Sequence, residues 1–191
     1  MYSEALQTEP EGEKEQEQEQ EQDTLDLRRA LGNFATGVTV ITSHCRLGPI
    51  GITANSFSSV SLDPPLVLWS LSNTSAGLSG FLDGKGFCIN VLSEDQADIS
   101  NHFAQRQIDK FQTIDYSLGA HDCPVLNGCV ANFQCETTDI LRRGDHHIFI
   151  GEVLDYAHTS ESALVFHLGN YAAVRRQSSL SSGQAGEFLS N

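Results

Sequence analysis

Apolar residues in this chain come mostly in short β-branched runs, and helical spacing is confined to three short stretches. After Thr24, a good N-cap, Leu27, Leu31 and Phe34 fall at i, i+4 and i+7, which predicts a short amphipathic helix ended by Gly37. Val38-Thr39-Val40-Ile41-Thr42 is β-branched throughout and reads as a strand. The run from Pro49 to Ser72 begins and ends as strand, with Leu66, Val67, Leu68, Trp69 and Leu71 filling its last part. Asp63-Pro64-Pro65 turns it, because each proline fixes φ and biases the preceding residue to extended geometry. A short helix is expected over 75–82 and a buried strand over 87–92. Ser93 then caps a helix reaching Phe103, with Glu94 and Asp95 placed against its dipole. Residues 104–127 read as a turn-rich connection. Two long strands, 128–141 and 146–157, flank the turn Arg142-Arg143-Gly144-Asp145, and 163–167 is the last strand. Six or seven strands, often adjacent in sequence, with three short helices predict a mainly β fold. An antiparallel barrel with peripheral helices fits, and a doubly wound α/β sheet does not.

Charge sharpens the boundaries. Of the formal net charge of −14, the first 23 residues carry −8, from nine acidic residues and one lysine in a Glu/Gln-rich segment without apolar periodicity. Such a segment cannot bury enough surface to offset its ordering entropy, so 1–23 is expected to be a disordered tail. One domain is expected over 24–175, and a mobile Ser/Gly-rich tail over 176–191. Without a basic patch, and with a sequence pI of about 4.7, nucleic acid is not an expected partner. No secretory signal or membrane-length apolar run stands out, and the five cysteines are odd in number without CxxC spacing. The expectation is reduced thiols in a cytoplasmic protein. Zinc held by His121, Cys123, Cys129 and His146 fits no closed module, so no metal is expected.

The chemistry concentrates in the middle of the 49–72 run. Thr53, Asn55, Ser56, Ser58, Ser59 and Ser61 offer short donors and acceptors along extended backbone, which suits a flat, hydrogen-bonding ligand lying edge-on. A Ser/Thr-rich hairpin without a ligand is the plain alternative. No GxGxxG opens a helix after a strand and no GxSxG elbow is present, so a Rossmann site and a serine hydrolase are unsupported. The segment Gly80 to Gly86 is one residue short of a phosphate loop and ends in glycine where a hydroxyl is required.

The string TANSFSSVSLDPPLVL resembles the flavin-contacting segment of the short-chain flavin reductases, which have an FMN-binding split-barrel fold. Five other pieces match that family in order. They are Phe34 to Thr42, Gly86 to Leu92 ending Asn-Val-Leu, Phe103-Ala104 followed by Asp109-Lys110-Phe111, Gly144-Asp145-His146 with the strand after it, and Leu164 to Tyr171. The resemblance covers about 24–175 and implies NAD(P)H-dependent reduction of FMN or FAD, with reduced flavin passed to a partner monooxygenase, by a homodimer. It implies flavin contacts at Pro49, Ile50, Gly51, Ile52, Thr53, Asn55, Ser56, Ser70, Leu71, Ser72, Ala76, Gly77, His102, Phe103, Lys110 and Phe111. Nicotinamide contacts fall at His146, Leu168, Gly169, Asn170 and Tyr171, with His146 beside both rings as the catalytic candidate. His102 stands where many relatives carry a basic residue, and Ala76-Gly77 where they offer a hydroxyl or basic group. The phosphate contacts are therefore open, with Gly77 N–H, Lys85 and Lys110 as alternatives.

Two other functions fit the same residues. One is a flavin-retaining electron carrier or ferric reductase, and the other is a non-catalytic flavin-binding or interaction module. Tight copurification of flavin would favour these. NAD(P)H oxidation that depends on free flavin would favour the reductase.

Overall fold

The computed structural model of the chain describes residues 22–106 and 109–175. The acidic and C-terminal tails expected from the sequence lie largely outside these. Helix α1 covers residues 22–31. It starts ahead of Thr24, which therefore lies within the helix rather than capping it. Asp26 accepts from the Gln22 side chain at 3.3 Å and pairs with Arg29 at 3.2 Å, tying successive turns. Asn33 Nδ2 donates to the Arg29 and Ala30 carbonyls at 3.0 and 3.3 Å, closing the helix well before Gly37. Gly37 instead belongs to strand β1 (Thr36–Gly37). Leu27, Leu31 and Phe34, the expected apolar stripe, are 60%, 65% and 77% exposed.

Seven antiparallel strands form the main sheet in the order β3-β2-β6-β9-β10-β5-β4. They are β2 (Thr39–Cys45), β3 (Gly48–Ala54), β4 (Ser58–Leu62), β5 (Pro65–Ser72), β6 (Gly86–Val91), β9 (Ala131–Arg143) and β10 (His146–His158). The 49–72 run is thus three strands, with a cis Asp63–Pro64 bond in the β4–β5 turn. Its first and second strands, β3 and β4, are the two edges of the sheet. A smaller sheet joins β1, β11 (Leu164–His167) and β12 (Asn170–Ala173). The connection expected over 104–127 contains a hairpin, β7 (Tyr116–Leu118) and β8 (Pro124–Leu126), around a 3-10 turn at Ala120–Asp122.

Helices α2 (Leu78–Asp83) and α3 (Ala97–Ala104) each start three residues later than expected. For α3 the reason is tertiary. Ser93 forms a bridge with Ala163, its N–H donates to Gln96 Oε1 at 3.1 Å, and its hydroxyl donates to Asp95. With its hydroxyl given to Asp95 instead of accepting a backbone N–H of the first turn, Ser93 does not cap the helix. In β9 and β10, register shifts fall between Ile150 and Gly151 and between Val153 and Asp155. A Cβ on Gly151 would lie 2.5 Å from the Phe87 ring, so the glycine and the bulge let the sheet close over the core.

Inside, Trp69 stacks on Phe149 at 4.6 Å and meets Phe81 and Phe87 edge-on. Trp69, Phe87, Phe149, Ile41 and Ile89 are all essentially buried, a tight aromatic and aliphatic packing of the kind that dominates core energetics. A second cluster (Val38, Val40, Leu92, Phe103, Phe111, Leu126 and Leu164) lies under α3. Asn90, fully buried, braces the second cluster. Its Nδ2 donates to Val40 O and Thr42 Oγ1 at 3.1 Å, and its Oδ1 accepts Leu126 N–H at 2.8 Å. All five cysteines are free, and all but Cys129 are buried.

Candidate active site

The predicted residues gather in two places. The first is the β3 edge. Phe103 is fully buried and Phe111 nearly so, their rings 5.2 Å apart. A Cβ on Gly51 would sit 2.6 Å from the Phe103 ring and 3.2 Å from Phe111, so glycine here lets both aromatics close on β3. Lys110 Nζ donates to Gly51 O at 3.1 Å and to Phe103 O at 2.6 Å, while its own carbonyl meets His102 Nε2 at 2.7 Å. That contact fixes the side of the strand. Gly51 O points away from β2, and by strand alternation the peptide groups of Pro49 and Thr53 face the same open side. Ile50, Ile52 and Thr53 are half-buried, Pro49 and Asn55 exposed.

Several hydroxyls expected to face a ligand are engaged within the fold. Thr53 Oγ1 donates to Ser100 O at 2.5 Å, which ties α3 to β3. Ser56 Oγ donates to Ser70 O at 3.0 Å and accepts Ser70 N–H at 2.9 Å, joining the two arms of the run. At the start of α2, Gly77 N–H donates to Ser75 Oγ at 3.4 Å, beside exposed Ala76.

The second place is the far end of β5. There the β9–β10 hairpin turns through Gly144, at φ 54°, and Asp145. His146 pairs with Ser72, His147 with buried Leu71, and Ile148 with Ser70. Two motifs that are more than seventy residues apart in sequence are therefore rungs of one ladder. His146 Nδ1 lies 2.7 Å from Asp145 Oδ1, with its side chain 44% exposed. This hydrogen bond, with the neighbouring ring's charge, holds the Asp145 carboxyl below the usual carboxylate range. Asn73, absent from the predicted set, donates its N–H to Asp145 O at 2.8 Å and its Nδ2 to Gly144 O at 3.1 Å. No local pattern marks Asn73; only its place directly after Ser72 could have pointed to it.

The turn Leu168-Gly169, at φ 49° and 80°, joins β11 to β12 and is exposed. Leu168 N–H donates to Gly32 O at 2.9 Å. Tyr171 reaches α3, its hydroxyl donating to Asn101 Oδ1 at 2.9 Å and lying 2.8 Å from Ser100 Oγ. Among the described residues no hydrogen bond or ring contact joins this turn to His146.

The β3 edge fits a flavin. A sheet edge presents unpaired backbone N–H and C=O groups, the partners a planar heterocycle needs along its rim. Lys110 is a half-buried cation, lowered from its usual value by desolvation, and makes no ion pair among the described residues. An ammonium has three N–H donors, and two are taken by carbonyls. A groove lined by Gln96, Ile99, Thr113, Ile114, Asp115, Leu126 and Asn127 includes none of the predicted residues. There Gln96 is already bonded to Ser93 N–H and Asn127 O.

Residues 31–175 match the flavin reductase like domain family. The chain belongs to that family. It is 45% identical over 154 residues to a probable flavin reductase of Rhizobium meliloti, covering 80% of this chain and 50% of that protein. An FMN reductase (NADH) of Agrobacterium fabrum is 44% identical over 150 residues, covering 78% and 86%. Among solved structures, an NADH:FAD oxidoreductase of Streptomyces globisporus, in complex with NAD and FAD fragments, superposes with a TM-score of 0.78. It is 35% identical and covers 83% of this chain and 96% of that one. The chain spans about half the length of the Rhizobium relative and most of the other two.

Proposed function

We propose that this chain is an NAD(P)H:flavin oxidoreductase that reduces FMN or FAD and passes the reduced flavin to a partner monooxygenase. The observation that carries this reading is the His146–Ser72 pairing, which sets the Gly144-Asp145-His146 turn at the end of the flavin segment. When bound, the nicotinamide supplies a hydride at C4 and the flavin accepts it at N5. The chain's share is binding and alignment, since hydride transfer needs stacked, oriented rings more than an acid or base. Peptide groups at Gly51 and Thr53 would meet the flavin rim, and the remaining Lys110 donor would meet an anionic group of the flavin. His146, oriented by Asp145, would align the nicotinamide. Relatives such as the reductase component of a trigonelline monooxygenase in Acinetobacter baylyi support a monooxygenase as the recipient.

We place the protein in the cytoplasm, where five free thiols stay reduced; no helix among the described residues is long and apolar enough to cross a membrane. The functional unit is a homodimer. The exposed α1 stripe, with Leu154 and Tyr156 at 50% and 64% exposure on β10, is apolar surface that a second copy would cover. A monomer by sedimentation at micromolar concentration would overturn that part.

The deciding experiment is steady-state oxidation of NADH and NADPH with FMN, FAD and riboflavin varied. Turnover that rises and saturates with free flavin supports the proposal. Turnover independent of added flavin, by a protein that retains its own, indicates the flavin-retaining electron carrier. No turnover indicates a binding module.

A further inference from the structure

We propose that Asn73 is the positioning residue that sets His146 in the active site. This rests on the role given to His146 above. The β9–β10 hairpin is joined to β5 by its ladder up to the His146–Ser72 rung, and beyond that rung the turn leaves the sheet. Asn73 continues the join on both sides of the Gly144–Asp145 pair. Its backbone N–H takes the Asp145 carbonyl at 2.8 Å, and its side-chain Nδ2 takes the Gly144 carbonyl at 3.1 Å.

Gly144 at φ 54° is in the left-handed region, where glycine resists other conformations least, so the turn has little stiffness of its own. Asp145 in turn holds His146 through the 2.7 Å contact to Nδ1. The imidazole's orientation is thereby referred back to β5, the strand that ends the flavin segment. The amide orientation is determined by its donor side, because Asn73 Oδ1 is buried without a hydrogen-bond partner among the described residues. Reversing the amide would set that oxygen against the Gly144 carbonyl. Asn73→Asp does the same chemically, exchanging the donor for an oxygen at nearly constant shape.

The test is a double-mutant cycle of Asn73→Asp and His146→Ala, read as kcat/KM for NADH with free flavin supplied, and as KM for flavin. Asn73→Asp should lower kcat/KM for NADH by about tenfold, the scale of one hydrogen bond to an oriented group, and change the flavin KM by less than about twofold. In the His146→Ala background it should change kcat/KM by less than about twofold, because residues acting through one contact are not additive. In Asn73→Asp the His146 ring resonances should shift by NMR. Additive losses, an equal loss in flavin KM, or unshifted His146 resonances would overturn the proposal. If Asn73→Asp does not fold, Asn73→Ala carries the same comparison, since it keeps the backbone N–H bond and removes the side-chain carboxamide with its Nδ2 donor. If His146→Ala leaves NADH oxidation unchanged, the role given to His146 falls. The ring resonances then decide alone: a shift supports Asn73 as the positioning residue, and no shift overturns it.

Discussion

Strands β3 and β4 come from one Ser/Thr-rich run and form the opposite edges of the same sheet, yet they are finished differently. Over β3 lie α3, the two aromatics Phe103 and Phe111, and the Lys110 ammonium on Gly51 O. β4 carries no such cover: Val60 is 48% and Leu62 89% exposed, and its pairing with β5 slips between Ser59 and Ser61. A slipped, serine-rich, short edge is a poor template for another strand, so β4 is protected by its irregularity. β3 is regular and protected by what packs on it, which leaves a defined row of peptide groups facing away from β2. Two neighbouring segments of one run therefore end as a braced edge with open peptide groups and as a plain surface edge, according to what packs on each.

Gly51→Val should break the braced edge most severely. Its Cβ would meet the Phe103 ring at 2.6 Å, and overpacking of this kind costs about 1–3 kcal/mol, with flavin binding lost alongside. Thermal unfolding with and without FMN checks it, and an unshifted Tm would show that α3 yields freely. His146→Ala tests whether the donor side belongs to the β5–β10 end rather than to β3. We expect a loss of about 1–3 kcal/mol in kcat/KM for the pyridine nucleotide, with flavin affinity nearly unchanged by fluorescence titration. Lys110→Met keeps the aliphatic stem and removes the cation. Flavin affinity should fall about five- to tenfold, the scale of one charge-assisted hydrogen bond, and equal binding by the variant would detach Lys110 from the flavin site.

The Asp145 effect is smaller. Its folded-state pKa is lowered by the His146 hydrogen bond, so the stabilising contact is complete above the ordinary carboxylate value near pH 4 and is lost as pH falls through the lowered value. A pH series of Tm should therefore show Asp145→Asn diverging from the parent above that window and converging with it in stronger acid. The smallest effect is expected on β4, where Leu62→Ser should change stability by less than about 0.5 kcal/mol. A larger shift would mean that β4 too is covered.

Most strands of the main sheet were legible because their signals are local: a β-branched run for β2, an apolar run for β6, and two long stretches either side of the Gly144 turn for β9 and β10. The helix starts were not. Ser93 looks like an N-cap until its bridge to Ala163 is seen, and Ser75 precedes α2 by three residues. Hairpin β7–β8 escaped because its strands are three residues each and β8 is held by Asn90, a residue on another strand. At the candidate site, the sequence singled out the segments and expected the hydroxyls of Thr53 and Ser56 to face a ligand. The fold engages both with backbone of α3 and β5, contacts that no spacing along the chain reveals. Asn73 was missed for the same reason, since its partners lie 71 and 72 positions away.

Four of the five cysteines have a consequence for durability. Desolvation pushes the Cys88 thiol far above its ordinary value, Cys123 up to about 11, and Cys129 and Cys135 up to about 12. Peroxides attack thiolates, and at neutral pH almost none is present at these four sulfurs. Reduced flavin that escapes to oxygen yields hydrogen peroxide, so a protein that releases it works beside its own oxidant. Keeping these four thiols protonated would let the protein, in the proposed role, withstand the by-product of that reaction.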